Sequence, residues 1–415
     1  MRAELIAVGT EILLGDIVNT NAQFLSKELA SIGIGVYNQE VVGDNEERLF
    51  DAFDTALKRS DIVITTGGLG PTGDDLTKET ACKYFGMEME LHKKSYDELV
   101  NIFNKTGKEL TKNNLKQAYF PKEAIVLDNP NGTAPGAILE KNNKVIIILP
   151  GPPREMKPMY MNYVKPYLSI KGNGVIKSET IRLLGVTESM AAEKLKDLMV
   201  SGINPTVAPY AKEEDIIFRI TAKAETEEEA ARLIKPIKEI IKDRFGINCY
   251  AEGEDVKIED VVGDLLINKK LTISTAESCT GGMIAARLIN YPGISEAFLE
   301  GAVTYSNEAK MRTLKVKEET LAAVGAVSEE TAREMALGIA KKAGSDISVV
   351  TTGIAGPGGG TKEKPVGLVY IGVYYKGKVK AYRHVFTGNR QEVRTKAAVE
   401  ALDKVRRAIL EDNIG

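Results

Sequence analysis

The strongest constraint on the fold is a pattern that recurs along the chain, in which a short, continuously apolar run ends in a turn rich in glycine, serine or threonine. It occurs at Asp61–Thr65 before Thr65–Thr77, at Leu271–Ile273 before Ser274–Gly282, and at Ile347–Val350 before Thr351–Gly360. Continuous apolar runs suit strands covered on both faces, as in parallel sheets, and such sheets need helical crossovers. Helical spacing supplies them: Phe24, Leu25, Leu29 and Ile32 mark one face of Asn19–Ile32, and Met283–Ile289 continues the Ser274–Gly282 turn as a helix. An α/β layer fold is therefore expected in both halves. The chain has 415 residues, more than one hydrophobic core supports. Boundaries are expected near 170 and 252, giving domains 1–170, 171–252 and 253–415.

Ligands of α/β sheets gather where the strands end, which directs attention to the turns. Ser278 lies in the turn Ser274–Gly282, before a helix whose free N–H groups can hold an anion or a developing oxyanion. A plain helix cap is the competing reading. Downstream, Gly301–Lys310 brings Tyr305 and Lys310 to another strand end. A serine can be activated by a lysine whose pKa is lowered by burial, so Ser278 with Lys310 as base and Tyr305 as relay forms a candidate hydrolase set without histidine. The alternative is an exposed helix lysine and a core tyrosine. The glycine-rich stretch Thr351–Gly360 is a candidate phosphate or substrate loop rather than a core element. Arg390 and Arg394 open the last helix, where a cation opposes the dipole, so each calls for an anion or a carboxylate partner. The two histidines, His92 and His384, are expected to be surface or packing residues.

The stretches TAESCTGG, VTYSNEAK and TGIAGPGGG, in this order, resemble the C-terminal domain of the competence/damage-inducible protein A (CinA) family. That domain resembles a nicotinamide mononucleotide (NMN) deamidase. The resemblance implies Ser278 as nucleophile with Tyr305 and Lys310 assisting, and needs no cofactor. Substrate contacts are expected from Thr280, Gly281, Thr352, Gly353, Gly356, Arg390 and Arg394, with N–H groups around Cys279–Gly282 holding the oxyanion.

In the N-terminal half, the turn Thr65–Thr77 places glycines where phosphates can meet backbone N–H groups, and Asp74 and Asp75 before a helix. These acids are either ligands of a hard metal or dipole partners of the helix 76–85. VGTEILLGDIVNTN, TTGGLGPTGDD and LPGPPREM resemble the N-terminal domain of the same family, which has the molybdenum-cofactor-biosynthesis, molybdopterin-binding-like fold. The resemblance places a nucleotide site at Asp44, Gly67, Gly68, Asp75 and Thr77. It implies ADP-ribose pyrophosphatase activity with a divalent metal (magnesium, manganese or cobalt) at Asp44 and Asp75. Related domains bind molybdopterin instead, so a non-catalytic binding protein is the alternative. Lys93–Tyr119 is expected to be one helix.

The middle domain reads as a β-α-β-β-α unit of ferredoxin-like or K-homology-like type, entered through a hinge at Lys171–Gly174. It lacks the GXXG loop with which K-homology modules clamp RNA. Lys plus Arg (55) and Asp plus Glu (58) nearly cancel, leaving a net charge of −3 and no electrostatic reason to expect nucleic acid. Three scattered cysteines, Cys82, Cys249 and Cys279, indicate neither a disulfide framework nor a metal cluster. The start of the chain carries an acid and then a strand, no apolar run reaches about 18 residues, and a cytoplasmic protein is expected without membrane partners. Small nucleotides (NMN and ADP-ribose) are the expected partners, and the resemblance implies a homodimer.

Overall fold

The computed structural model describes residues 1–107, 109–171, 174–200, 204–212 and 214–412. The chain divides into two compact units, Met1–Lys177 with Ala222–Leu233, and Ser178–Thr221 with Ile234–Gly415. Gly172 and Asn173 of the expected hinge lie outside the described residues.

The first unit is built on a six-stranded sheet ordered Gly35–Val42, Arg2–Val8, Ile62–Thr66, Lys144–Leu149, Gly136–Lys141, Ile125–Leu127. The first four strands are parallel and the last two antiparallel. The apolar runs explain this: every residue of Ile62–Thr66 is buried. Alternation then sorts the side chains onto two faces. Ile6, Val8, Val63, Ile146 and Ile148 pack against Leu49, Phe53 and Ala56 of the helix Glu46–Arg59. Ala3, Leu5, Ile62, Ile64 and Ile147 pack against Leu25 and Leu29 of the helix Thr20–Ser31. Asn19 and Asn45 cap those two helices by accepting from Ala22 and Arg48 N–H.

Lys93–Tyr119 is not one helix. It runs Lys93–Thr106, stops at Gly107 in the left-handed conformation (φ 65°), and resumes as the short helix Lys112–Leu115. A left-handed glycine is a strong C-terminal stop. Of Tyr96, Leu99, Ile102, Phe103 and Leu110, the apolar residues at helical spacing on that stretch, only Leu99 is buried, so packing did not offset the break.

Thr206–Ala211, Ile216–Ala224, Val175–Leu183 and Cys249–Glu252 form a four-stranded sheet in that order, most of whose residues belong to the second unit. The helix Glu188–Leu195 belongs to the same region. A five-stranded sheet follows, ordered Phe298–Val303, Ile273–Glu277, Ile347–Gly353, Leu368–Tyr375, Lys378–Val385. Its first three strands are parallel and the hairpin that completes it is antiparallel. One face carries Ile273, Val349, Ile371 and Val373 against the helices Ile258–Lys269 and Arg390–Leu410. The other carries Ala276 and Val350 against Met335, Ala336 and Ile339 of the helix Glu329–Ala343. Ser328 caps that helix by accepting from Thr331 N–H, and Gly344 ends it. Among the described residues no helix is long and apolar enough to cross a membrane.

Candidate functional site

Strand order assembles the C-terminal site. Ile273–Glu277 lies between Phe298–Val303 and Ile347–Gly353, all three parallel, so the segments leaving their carboxyl ends meet on one edge. Those segments carry Ser278, Thr304–Tyr305 and Ile354–Gly356. This is the crevice that a sheet opens where strand order reverses. Ser306 caps the helix Asn307–Leu314 by accepting from Ala309 N–H, and the first turn of that helix turns Lys310 inward.

Lys310 is 1% exposed and Ser278 8%. Lys310 Nζ lies 3.1 Å from Ser278 Oγ, 2.8 Å from the Thr304 carbonyl and 3.2 Å from the Tyr305 carbonyl. The two carbonyls can only accept, so they hold two N–H groups of Nζ, and its third position faces the serine. In the neutral amine that third position is a lone pair able to take the Ser278 proton. Burial pulls the Lys310 ammonium below the ordinary lysine range, which makes the neutral amine accessible. The neighbouring Cys279 is buried and its thiol is pushed up to about 11, so it stays protonated and is no rival nucleophile.

Tyr305 does not sit between the pair as a relay. The residue is 64% exposed, and its hydroxyl meets Arg390 Nη2 at 3.4 Å; only its carbonyl hydrogen-bonds Lys310. The relay expectation fails because the lysine reaches the serine directly.

The helix N-terminus after Ser278 is not a free anion site either. The buried Glu277 carboxylate accepts from the N–H groups of Gly282 (3.0 Å), Ile284 (3.1 Å) and Ala285 (2.9 Å) and from the Thr280 hydroxyl (2.6 Å). Gly282 N–H is thus removed from the expected oxyanion donors, leaving those of Cys279, Thr280 and Gly281 beside the nucleophile. Glu277 went unassigned in the sequence, although an acid at a strand end just before a helix-opening turn is the usual signal of a dipole partner.

The same clamp corrects other expectations. The Thr280 side chain is fully buried and spans Glu277 and Thr351 Oγ1 (2.7 Å), so it holds the turn rather than a ligand. Thr352 Oγ1 donates to the Ala326 carbonyl at 2.6 Å and is likewise internal. Gly353 ends its strand with no room for a side chain, since a Cβ there would lie 2.7 Å from the Leu368 carbonyl oxygen. Gly281 adopts φ 60° and Gly356 φ 83°, conformations that glycine takes without strain.

Arg390 donates to the Gly356 carbonyl (2.8 Å), and Arg394 to the carbonyls of Cys279 (3.2 Å) and Thr280 (2.9 Å). Neither finds a carboxylate: among the described residues neither guanidinium forms an ion pair. Carbonyl contacts orient the guanidinium groups but leave their charge uncompensated, so two cations border the Ser278 turn. The helix N-terminus itself is closed by Asn389 and Glu392 in a capping box. His384 stacks on Phe386 with ring centroids 5.4 Å apart, as a packing residue. His92 caps the helix Lys93–Thr106, accepting from Ser95 N–H, rather than lying free on the surface.

The N-terminal unit holds a cleft of about 730 Å³ lined by Asp44, Gly67, Gly68, Asp74, Asp75 and residues of the Pro150–Glu155 turn. Gly67 and Gly68 are required by the turn: they adopt φ 105° and 67°, and a Cβ would lie 2.1 Å from Val8 O and from Thr77 Oγ1 respectively. Thr77 is fully buried and donates to the Gly67 carbonyl at 2.9 Å, so it closes the turn and faces no ligand. Asp44 Oδ2 accepts from Thr10 N–H and hydroxyl, and Asp75 Oδ2 from Thr72 N–H and hydroxyl. Asp75 therefore braces its own loop rather than capping the helix Thr77–Phe85. Each carboxylate retains Oδ1. Among the described residues no group of three or more His, Cys, Asp or Glu side chains is gathered for a metal ion. Asp44 and Asp75 suit a divalent ion only as two hard oxygen ligands that phosphate oxygens and water complete, which is how magnesium is commonly held.

Three domain families match this chain: the molybdopterin binding domain over residues 4–169, the damage-inducible protein CinA KH domain over 178–251, and the CinA C-terminal domain over 255–409. A competence-damage inducible protein of Clostridium acetobutylicum is 59% identical over 410 residues, covering 99% of this chain and 100% of the relative. One from Clostridium perfringens is 62% identical over 410 residues, covering 99% of each. Among solved structures, a CinA superfamily protein of Klebsiella pneumoniae is 36% identical, covering 37% of this chain and 96% of that chain with a TM-score of 0.36. By its sequence the chain belongs to the competence/damage-inducible CinA family, with a molybdopterin-binding-like N-terminal domain and a CinA-type C-terminal domain.

Proposed function

We propose that the C-terminal domain is a serine amidohydrolase that converts NMN to nicotinate mononucleotide and ammonia. The observation that carries this reading is the buried Lys310 Nζ, 3.1 Å from Ser278 Oγ with its other hydrogens held by two carbonyls. Lys310 takes the serine proton as Ser278 Oγ attacks the carboxamide carbon. The tetrahedral oxyanion is held by N–H groups of Cys279, Thr280 and Gly281, each such donor being worth roughly 3 kcal/mol. Lys310 then returns the proton to the departing nitrogen, ammonia leaves, and water hydrolyses the acyl-serine by the same route. Arg390 and Arg394, lacking carboxylate partners, suit the substrate phosphate. Ammonia release from NMN tests this: turnover in the unmodified protein and its loss in Lys310→Ala and Ser278→Ala are expected. Full turnover in a folded Ser278→Ala protein would remove the assignment.

A second reading concerns the N-terminal cleft, for which we propose ADP-ribose pyrophosphatase activity. Its support is the glycine turn Gly67–Gly70, open to phosphates, beside the free Oδ1 atoms of Asp44 and Asp75 in one cleft. A divalent ion held by those oxygens would polarise a phosphoryl oxygen. Chelation is expected to abolish pyrophosphate cleavage and spare ammonia release. Loss of both activities on chelation would defeat the separation of sites.

A further inference from the structure

In the second unit, an open groove of about 660 Å³ lies between the helices Asn307–Leu314 and Glu329–Ala343. It forms where the two cross closely: a Cβ on Gly338 would lie 1.9 Å from the Leu314 carbonyl oxygen, so glycine is what lets the carboxyl end of the first helix rest on the second. Leu314 and Leu337 give the groove an apolar part. The helix Asn307–Leu314 leaves the Ser278 crevice at its Ser306 cap and reaches the groove with its other end, so the two places are distinct.

The charge of this groove is one-sided. Its lining has five exposed cations, Arg312, Lys315, Lys317, Lys341 and Lys342, and one carboxylate, Glu334. Glu334 is already engaged, its Oε2 accepting from Lys317 N–H at 2.8 Å and its Oε1 from the Thr320 hydroxyl at 2.7 Å. Lys342 pairs with Glu300, and Lys315 Nζ donates to the Arg312 carbonyl; among the described residues Arg312, Lys315, Lys317 and Lys341 form no ion pair. Arg312, Lys341 and Lys342 stand in the last turns of their helices, where a cation suits the dipole. That account does not extend to Lys317, which holds the N-cap position of the helix Glu318–Val324 without a side-chain cap, where a cation opposes the dipole. Glu318 and Glu319 answer that dipole but do not line the groove. Like charges gathered around one cavity repel, and an anion within it relieves them.

Size and lining select the anion. The volume is that of a small-ligand site, and no aromatic side chain lines it on which the bases of a nucleic acid strand could stack. Cations drawn from two helices and the turn that follows the first exceed what a lone carboxylate can meet, and match the several charges of a phosphate chain. We propose that this groove binds a small, multiply charged phosphate chain, with Arg312, Lys317 and Lys341 as its principal contacts. The chemistry is shared by two sources, an inorganic oligophosphate and the phosphate tail of a nucleoside triphosphate. The site rests on neither of the activities proposed above.

The test is calorimetric titration of the full-length chain with tripolyphosphate and with ATP, in EDTA so that metal-dependent binding in the N-terminal cleft does not contribute. A protein carrying both Lys317→Gln and Lys341→Gln, and separately Arg394→Gln, are compared with the unmodified chain, with the unfolding temperature as the control for folding. Binding is expected to weaken about tenfold or more in the double variant, the scale of two exposed charge pairs, and to stay unchanged in Arg394→Gln, which alters the cations beside Ser278 instead. Equal affinities for the two probes identify the phosphate chain alone as the ligand, and tighter ATP binding identifies a nucleotide; both support the proposal. It is overturned if neither probe binds, if the double variant binds as the unmodified chain does, or if only Arg394→Gln loses binding. Sulfate binding as tightly as tripolyphosphate would reveal general charge attraction and overturn it as well. So would an acidic peptide or an oligonucleotide that binds through Lys317 and Lys341 while both phosphate probes fail.

Discussion

Replacing Glu277 with glutamine probes whether a buried carboxylate holds the nucleophile turn. Its Oε2 accepts from Thr280 Oγ1, Gly282 N–H and Ile284 N–H, and its Oε1 from Ala285 N–H. Glutamine has one acceptor oxygen. Placed at the Oε2 position it keeps three contacts, but its NH₂ group then confronts Ala285 N–H as donor against donor. The loss is one charge-assisted hydrogen bond of about 1.5–3 kcal/mol and a helix-terminus interaction of about 0.3–1 kcal/mol. The smaller cost of burying an amide offsets part of this. A net destabilisation of about 2 kcal/mol follows, which in a domain of about 150–250 residues lowers the unfolding temperature by roughly 4–8 °C. Differential scanning calorimetry is the suitable assay, because it separates the transition of this domain from that of the N-terminal one. Ser278 is the next residue, so kcat for ammonia release is expected to fall by about 10- to 100-fold, the scale set by small misplacements of reacting groups, with KM nearly unchanged. A Glu277→Gln protein that unfolds at the original temperature would refute the clamp.

Three further outcomes are expected. Because burial lowers the Lys310 pKa, the base form is favoured as pH rises through that value, so kcat/KM should climb with pH and level off below 10.5, the ordinary lysine value; Lys310→Arg, always charged, should show no rising limb. Arg394→Gln removes a charge beside Ser278 that no carboxylate neutralises, and should raise KM for NMN by about tenfold or more while leaving KM for the phosphate-free amide nicotinamide riboside unaffected; equal effects on both substrates would exclude a phosphate contact. In the N-terminal domain, burial pushes the Lys78 ammonium from 10.5 down to about 8. The unfolded chain then binds a proton that the native one lacks between those values, so stability rises with pH across that window. Lys78→Met should flatten the rise, and melting curves at pH 8 and pH 10 that keep the original slope would refute it.

Much of the fold was legible because its signals are local. Continuous apolar runs such as Ile62–Thr66 identify strands covered on both faces, and Asn19, Asn45, Ser328 and Gly344 mark helix ends through contacts within a few residues. The exception was also local: Gly107 breaks a helical pattern whose apolar residues, Leu99 aside, find no core. The candidate site was legible as a set of residues but not as a geometry. Ser278 and Lys310 are 32 positions apart, and their contact exists because parallel pairing of Ile273–Glu277 with Phe298–Val303 brings two strand ends to one edge.

The sequence by itself determined the α/β class, the family, and the chemistry available at each turn, since residue type and local spacing carry that information. Only the tertiary structure decided which polar groups remain available to a ligand. Thr77, Thr280 and Thr352 spend their hydroxyls on neighbouring backbone or side chains, and Tyr305 turns outward to Arg390. Whether a hydroxyl or amide is already satisfied depends on partners brought close by folding rather than by sequence, and a buried polar group without a partner is too costly for the choice to be left to chance.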